Sequence, residues 1–119
     1  MSNPSAPEFV YRLVSAAEWR DAKQSGIVPK CDIDLKDGYM HLSTRQQVLE
    51  TARLHFAGVD DLMALEIPFA GIADDVKFEL APKRGEAFPH LYRVLRYDDV
   101  AAVWPLLREG ATFKFGEPE

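Results

Sequence analysis

Helix signals crowd the first half of this sequence and strand signals fill the second, and that order limits the fold more than any other feature. Ser15 stands three residues before Glu18. At that spacing a cap hydroxyl takes the third helical N–H and the carboxylate reaches back to the cap. A helix is therefore expected over residues 16–25, with Gly26 as its stop. Ser43 and Gln46 repeat the spacing, which predicts a second helix over residues 44–56 closed by Gly58, with Val48, Leu49, Ala52 and Phe56 as its apolar stripe. Residues 9–14 read as a first strand, and 39–43, 62–67, 76–80 and 90–95 as further strands. Residues 100–107 form a strand or a short helix, and 112–115 an edge strand. Residues 32–38 read as a turn-rich connection and 82–89 as a loop. Helices first and strands later favour an α+β fold, with a split, mostly antiparallel β-sheet and two main helices, over an alternating βαβ repeat. Neither GxGxxG nor GxxxxGK[ST] occurs, so the common dinucleotide and P-loop folds lack support.

A chain of 119 residues with 47% hydrophobic content can bury a core without metal or disulfide staples. One domain is expected over residues 9–119, after a Ser/Pro/Asn-rich tail at 1–8 that has no signal-peptide pattern. The single cysteine, Cys31, excludes an internal disulfide framework and fits a cytoplasmic location. No apolar run is long enough to span a membrane. The net charge of −5 argues against bulk nucleic-acid binding, which wants a basic face. The positive charge is gathered locally. In residues 82–97, Lys83, Arg84, Arg93 and Arg96 stand against Glu86 alone. That distribution suits a receptor for one small anionic ligand.

Chemistry is concentrated in two stretches. In Asp37-Gly38-Tyr39-Met40-His41-Leu42-Ser43-Thr44, strand alternation turns Met40 and Leu42 to the core and Tyr39, His41 and Ser43 to the opposite face. An imidazole and a hydroxyl that lead into a helix start can hold a phosphate or a ribose. In Phe88-Pro89-His90-Leu91-Tyr92-Arg93, His90 and Tyr92 share a face, and with Arg93, Lys83 and Arg84 they offer a seat for an anion. Arg12 reads as a cleft or a surface residue. Glu79 faces the same way as Lys77, as an ion pair or as a catalytic carboxylate, and Glu66 is a weaker candidate acid. His55 reads as a packed residue of the second helix. His41, His90 and Glu79 are the types that hold zinc or ferrous iron, but no HExxH spacing supports a metal site.

Asp37-Gly38-Tyr39-Met40-His41-Leu42-Ser43 with Gln47, Phe56-Ala57-Gly58 and Phe88-Pro89-His90-Leu91-Tyr92 together resemble the bacterial family called domain of unknown function 952. The opening Val14-Ser15-Ala16-Ala17-Glu18-Trp19 and Asp61-Leu62 are also similar to it. One departure is Arg93, where the family usually has Gly, so a role that needs bare backbone after Tyr92 is in question. The 39–44 strand also resembles the His-Gly-Thr strand of the ADP-ribosyltransferase-like fold. That likeness, to a fold that includes RNA 2′-phosphotransferases, implies His41 as a ribose-binding catalytic residue, Ser43 or Thr44 as its hydroxyl partner, Glu79 as the late-strand acid, and NAD, ADP-ribose or a phosphorylated nucleotide as the ligand. On this reading Tyr39, Ser43, Thr44, Gln47, His90, Tyr92, Arg93 and Arg12 form the binding set around His41 and Glu79. A non-catalytic ligand-binding or protein-interaction module and a metal-dependent enzyme stand as the alternatives.

Overall fold

The computed structural model describes residues 6–119. Most of the tail expected at 1–8 thus lies outside the described residues. β1 (Phe9–Ser15) leads directly into α1 (Ala16–Ser25). The Ser15–Glu18 capping box forms as the spacing predicts, and Gly26 closes the helix at φ 82°.

Residues 32–38 depart from the expected connection. Asp32–Asp37 forms a short helix, α2. The Asp34 carboxylate accepts the Cys31 N–H at the helix start, at 3.0 Å. Gly38, at φ 84°, ends the helix by donating its N–H to the Asp34 carbonyl at 2.9 Å. The Asp37-Gly38 turn signal therefore marks a helix end, and among the described residues the short α2 is added to the two main helices expected.

Next come β2 (Met40–His41), β3 (Ser43–Thr44) and α3 (Val48–His55). The second helix starts later than expected because Ser43 is spent on pairing with Tyr11 of β1. The Gln47 side chain, not Ser43, serves the turn: its Oε1 accepts the Thr44 N–H at 3.0 Å. After α3 come β4 (Leu62–Pro68), β5 (Val76–Ala81), β6 (Glu86–Leu91), β7 (Ala102–Glu109) and β8 (Thr112–Phe115). The loop expected at 82–89 shrinks to a tight hairpin turn with Gly85 at φ 70°, and β6 begins four residues before His90. Of residues 100–107, 102–107 fall in strand β7, which runs on to Glu109.

The fold is α+β with two antiparallel sheets. One has the order β3-β1-β4-β7-β8 and the other β2-β6-β5. Alternation along β1 decides how they stack. Val10 and Val14 face a core shared with Met40 and Leu91 of the smaller sheet. Tyr11 and Leu13 face a second core with Val48 and Ala52 of α3. Each fully buried side chain of this kind stabilises the fold by about 1.5–3 kcal/mol.

Arg12 lies between Val10 and Val14 on the inner face, yet it is only 5% exposed. A buried guanidinium there demands a partner, and α2 supplies one in Asp34. Pro89 sets the length of β2. It accepts from the Leu42 N–H at 3.1 Å but has no N–H to return, so the β2–β6 ladder stops after Met40 and His41.

Candidate functional site

The short β2–β6 ladder pairs Met40 with Leu91 and His41 with His90. Directly opposed residues bring their Cβ atoms to about 5 Å. The two imidazoles accordingly meet edge to face, with ring centroids 5.5 Å apart. Tyr39 covers them: its ring stacks on His90 at 4.0 Å and lies 4.8 Å from His41. Met40 and Leu42 are buried in the inner core, as the alternation predicts.

Each histidine is backed by a carboxylate. His41 Nδ1 lies 2.7 Å from Asp34 Oδ1, and its backbone N–H donates to the same oxygen at 3.1 Å. Asp34 also receives both terminal nitrogens of Arg12, at 3.3 and 2.6 Å. Burial pushes the Asp34 carboxyl up, but His41, Arg12 and the Cys31 N–H together hold it well below the usual carboxylate range. Asp34 is therefore a fixed anion that sets the orientation of the His41 ring. The other ring nitrogen, Nε2, meets Asp37 at 3.0 Å near the surface.

His90 Nδ1 lies 2.9 Å from Glu79 Oε1, which also accepts the Tyr92 hydroxyl. Those two hydrogen bonds, Tyr92 first, lower the Glu79 carboxyl. In return the Glu79 hydrogen bond pushes the Tyr92 phenol up to about 12. Lys77 stands 5.0 Å above the Tyr92 ring. His90, with one nitrogen fixed by a carboxylate and the other left to exchange a proton, has the arrangement that general acid–base chemistry uses, whereas both ring nitrogens of His41 are held by carboxylates.

Beside the histidines opens a mostly apolar cleft of about 360 Å³. His41, His90, Ser43 and Arg12 line it, together with Leu13, Leu42, Phe56 and Phe88. Tyr39, Glu79 and Tyr92 stand behind the two histidines and do not line it.

Other expected site residues are engaged elsewhere. Arg93 grips Asp99 with two nitrogens, at 2.9 and 3.1 Å, and Asp75 at 3.3 Å. Gln47 donates to the Ala87 carbonyl at 2.8 Å and to Glu86, which ties the start of α3 to β6. Thr44 is held by Gln47 through its N–H. Glu66 accepts from Tyr11 and Trp104 in the larger sheet, away from the histidines. His55 is exposed at the rim of the cleft rather than packed.

Asp34 carries little signal in the sequence: its only trace is an acid three residues after Cys31, at a helix start whose composition resembles a turn. Among the described residues, no group of three or more His, Cys, Asp and Glu side chains could hold a metal ion. In the His41–His90–Glu79 set, both ring nitrogens of His41 lie on Asp34 and Asp37, and His90 Nδ1 lies on Glu79. No helix of the described residues is long and apolar enough to cross a membrane.

A family model described as "Protein of unknown function (DUF952)" matches residues 13–103. The chain belongs to this family. The match begins inside β1, takes in both histidine strands and the hairpin beside the cleft, and ends inside β7. The crystal structure of Protein CC0527 from Caulobacter crescentus is similar, at 34% sequence identity and a TM-score of 0.81, over 89% of this chain and 93% of that one. The solution NMR structure of CC0527 agrees, with a TM-score of 0.77 over 89% and 90% of the two chains. No curated protein matches the chain. The relation to the ADP-ribosyltransferase-like fold finds no support in these matches.

Proposed function

We propose that the protein binds a small anionic ligand in the cleft beside His41 and His90, and that His90, aimed by Glu79, exchanges a proton with it while His41, held by Asp34 and Asp37, contacts it as a fixed ring. The observation that carries this reading is the pairing of His41 with His90 across β2 and β6, with rings 5.5 Å apart at the wall of an apolar cleft. Exposed histidines on an ordinary strand need no buried carboxylate to aim them. Here Asp34 sits 1% exposed, and one of its oxygens is committed to His41. Perturbed acids and bases gathered at a cleft mark functional sites.

His41 and Ser43 of the expected site line this cleft, and Glu79 supports it through His90. The resemblance makes NAD, ADP-ribose and 2′-phosphorylated nucleotides natural probes, alongside smaller aryl phosphates and carboxylates. Thermal unfolding with each compound tests the reading. A ligand at a hundredfold excess over its Kd adds about 2.7 kcal/mol to stability, a Tm rise of several degrees for a domain this size. At least one anion of the panel should give that rise in the wild type and lose it in H90Q. Failure of every anion at millimolar concentration would refute the proposal.

A further inference from the structure

Among the described residues, two buried side-chain nitrogens have no hydrogen-bond partner: Nε of Arg12 and Nη2 of Arg84. Both arginines line the cleft. Arg12 is neutralised by Asp34. Arg84 makes no ion pair among the described residues. Of the arginines that are not surface-exposed, Arg12 holds Asp34 and Arg93 holds Asp99, while the carboxylate whose acidity Arg84 influences, Glu50, is gripped by Arg53 and lies beyond ion-pair distance of Arg84. Its guanidinium is nevertheless held in place. Nη1 donates to the Thr51 hydroxyl at 3.0 Å, and the guanidinium carbon lies 4.5 Å above the Phe88 ring. The Thr51 hydroxyl in turn donates to the Gln47 carbonyl at 3.1 Å, so the anchor is itself fixed to the start of α3. A half-buried cation with a free donor beside an apolar cleft is costly unless something anionic comes to it.

From this we infer that Arg84 is the anion seat of the cleft, and that the ligand is a compact molecule with one oxyanion head, carboxylate or phosphate, on an apolar or aromatic body. The inference rests on the ligand-binding reading above and narrows it. The head pairs with the cleft-lining Arg84 guanidinium, whose two-nitrogen fork suits two oxygens of either a carboxylate or a phosphate. The body lies against Leu13, Leu42, Phe56 and Phe88, and its far end meets His90. The volume of about 360 Å³ is near the small end of the usual ligand-pocket range of roughly 300–1,000 Å³. A dinucleotide, with two phosphates and two riboses, brings more polar groups than these few donors can satisfy.

The test is isothermal titration of the full chain with phenyl phosphate, benzoate, benzyl alcohol, inorganic phosphate and ADP-ribose. Phenyl phosphate or benzoate should bind at least tenfold more tightly than either benzyl alcohol or inorganic phosphate, and the tighter of the two identifies the head. Arg84→Met should weaken the anion by about 10- to 100-fold, the range for a hydrogen bond to a charged group, and leave benzyl alcohol unchanged. Thr51→Val keeps the charge and removes its anchor, so it should weaken the anion several-fold; it also serves if R84M fails to fold. Equal anion affinity in wild type and both variants would overturn the inference. So would binding of ADP-ribose without the aryl anions, a result that leaves the broader ligand-binding reading standing. Binding of nothing overturns both.

Discussion

Replacing Asp34 with Asn tests whether one buried carboxylate holds both the fold and the site together. Asp34 is 1% exposed and accepts from Arg12 Nη1 and Nη2, from His41 Nδ1 and N–H, and from the Cys31 N–H. Asparagine keeps the shape but loses the charge, and its amide turns two hydrogens toward neighbours that are all donors. Arg12, 5% exposed, is left as an uncompensated buried cation. Removing one partner of a buried pair costs about 3–5 kcal/mol. With a urea m-value of about 1.5 kcal/mol/M, a loss of 3 kcal/mol moves the midpoint down by about 2 M.

Acid behaviour follows with a definite sign. The folded Asp34 pKa lies below its unfolded value of about 3.9. Its contribution is therefore complete above pH ~4 and is lost as the pH falls through the acid range below that. D34N should lack this part of the acid transition. The double variant Arg12→Met with Asp34→Leu replaces the pair with apolar groups and should recover most of the lost stability. A D34N midpoint within 0.5 M (roughly) of wild type would refute the reasoning, because it would mean that Arg12 finds water or another partner at no cost.

Tyr92→Phe should remove one phenol that titrates near pH 12 in an ultraviolet titration and raise the Glu79 carboxyl, since the Tyr92 hydrogen bond is the first cause of its lowering. Gly38→Ala should cost about 1 kcal/mol in chemical denaturation, since φ is 84° while the space for a Cβ is open. Gln47→Ala releases the Ala87 carbonyl and the Glu86 side chain. It should cost about 1–3 kcal/mol and speed hydrogen exchange at residues 86–88.

The α+β class, the first helix with both its caps, and the inward turn of Met40 and Leu42 were legible because they depend on neighbours a few positions away. So was the candidate status of His41 and His90, from their strand context. Their contact was not legible. It depends on the register between β2 and β6, and nothing local in either strand sets a pairing across nearly half the chain. Asp34 escaped for a similar reason: its partner Arg12 is 22 positions away, and the acid alone looks like a turn residue. Ser43 misled because a hydroxyl before a helical pattern looks like a cap, while pairing with Tyr11 made it a strand residue. The basic stretch at 82–97 was visible as charge. Only the folded chain separates Arg93, committed to Asp99, from Arg84, which turns to the cleft without an anion.

The central claim is that His41 and His90 belong to one ligand site. Imidazole nitrogen NMR during titration with the tightest anion of the panel tests it most directly. The account predicts that both rings shift along a single binding curve, while the Trp19 indole, which lines no part of the cleft, stays still. If only one ring moves, or the two follow different curves, His41 and His90 do not share a ligand and the claim is contradicted.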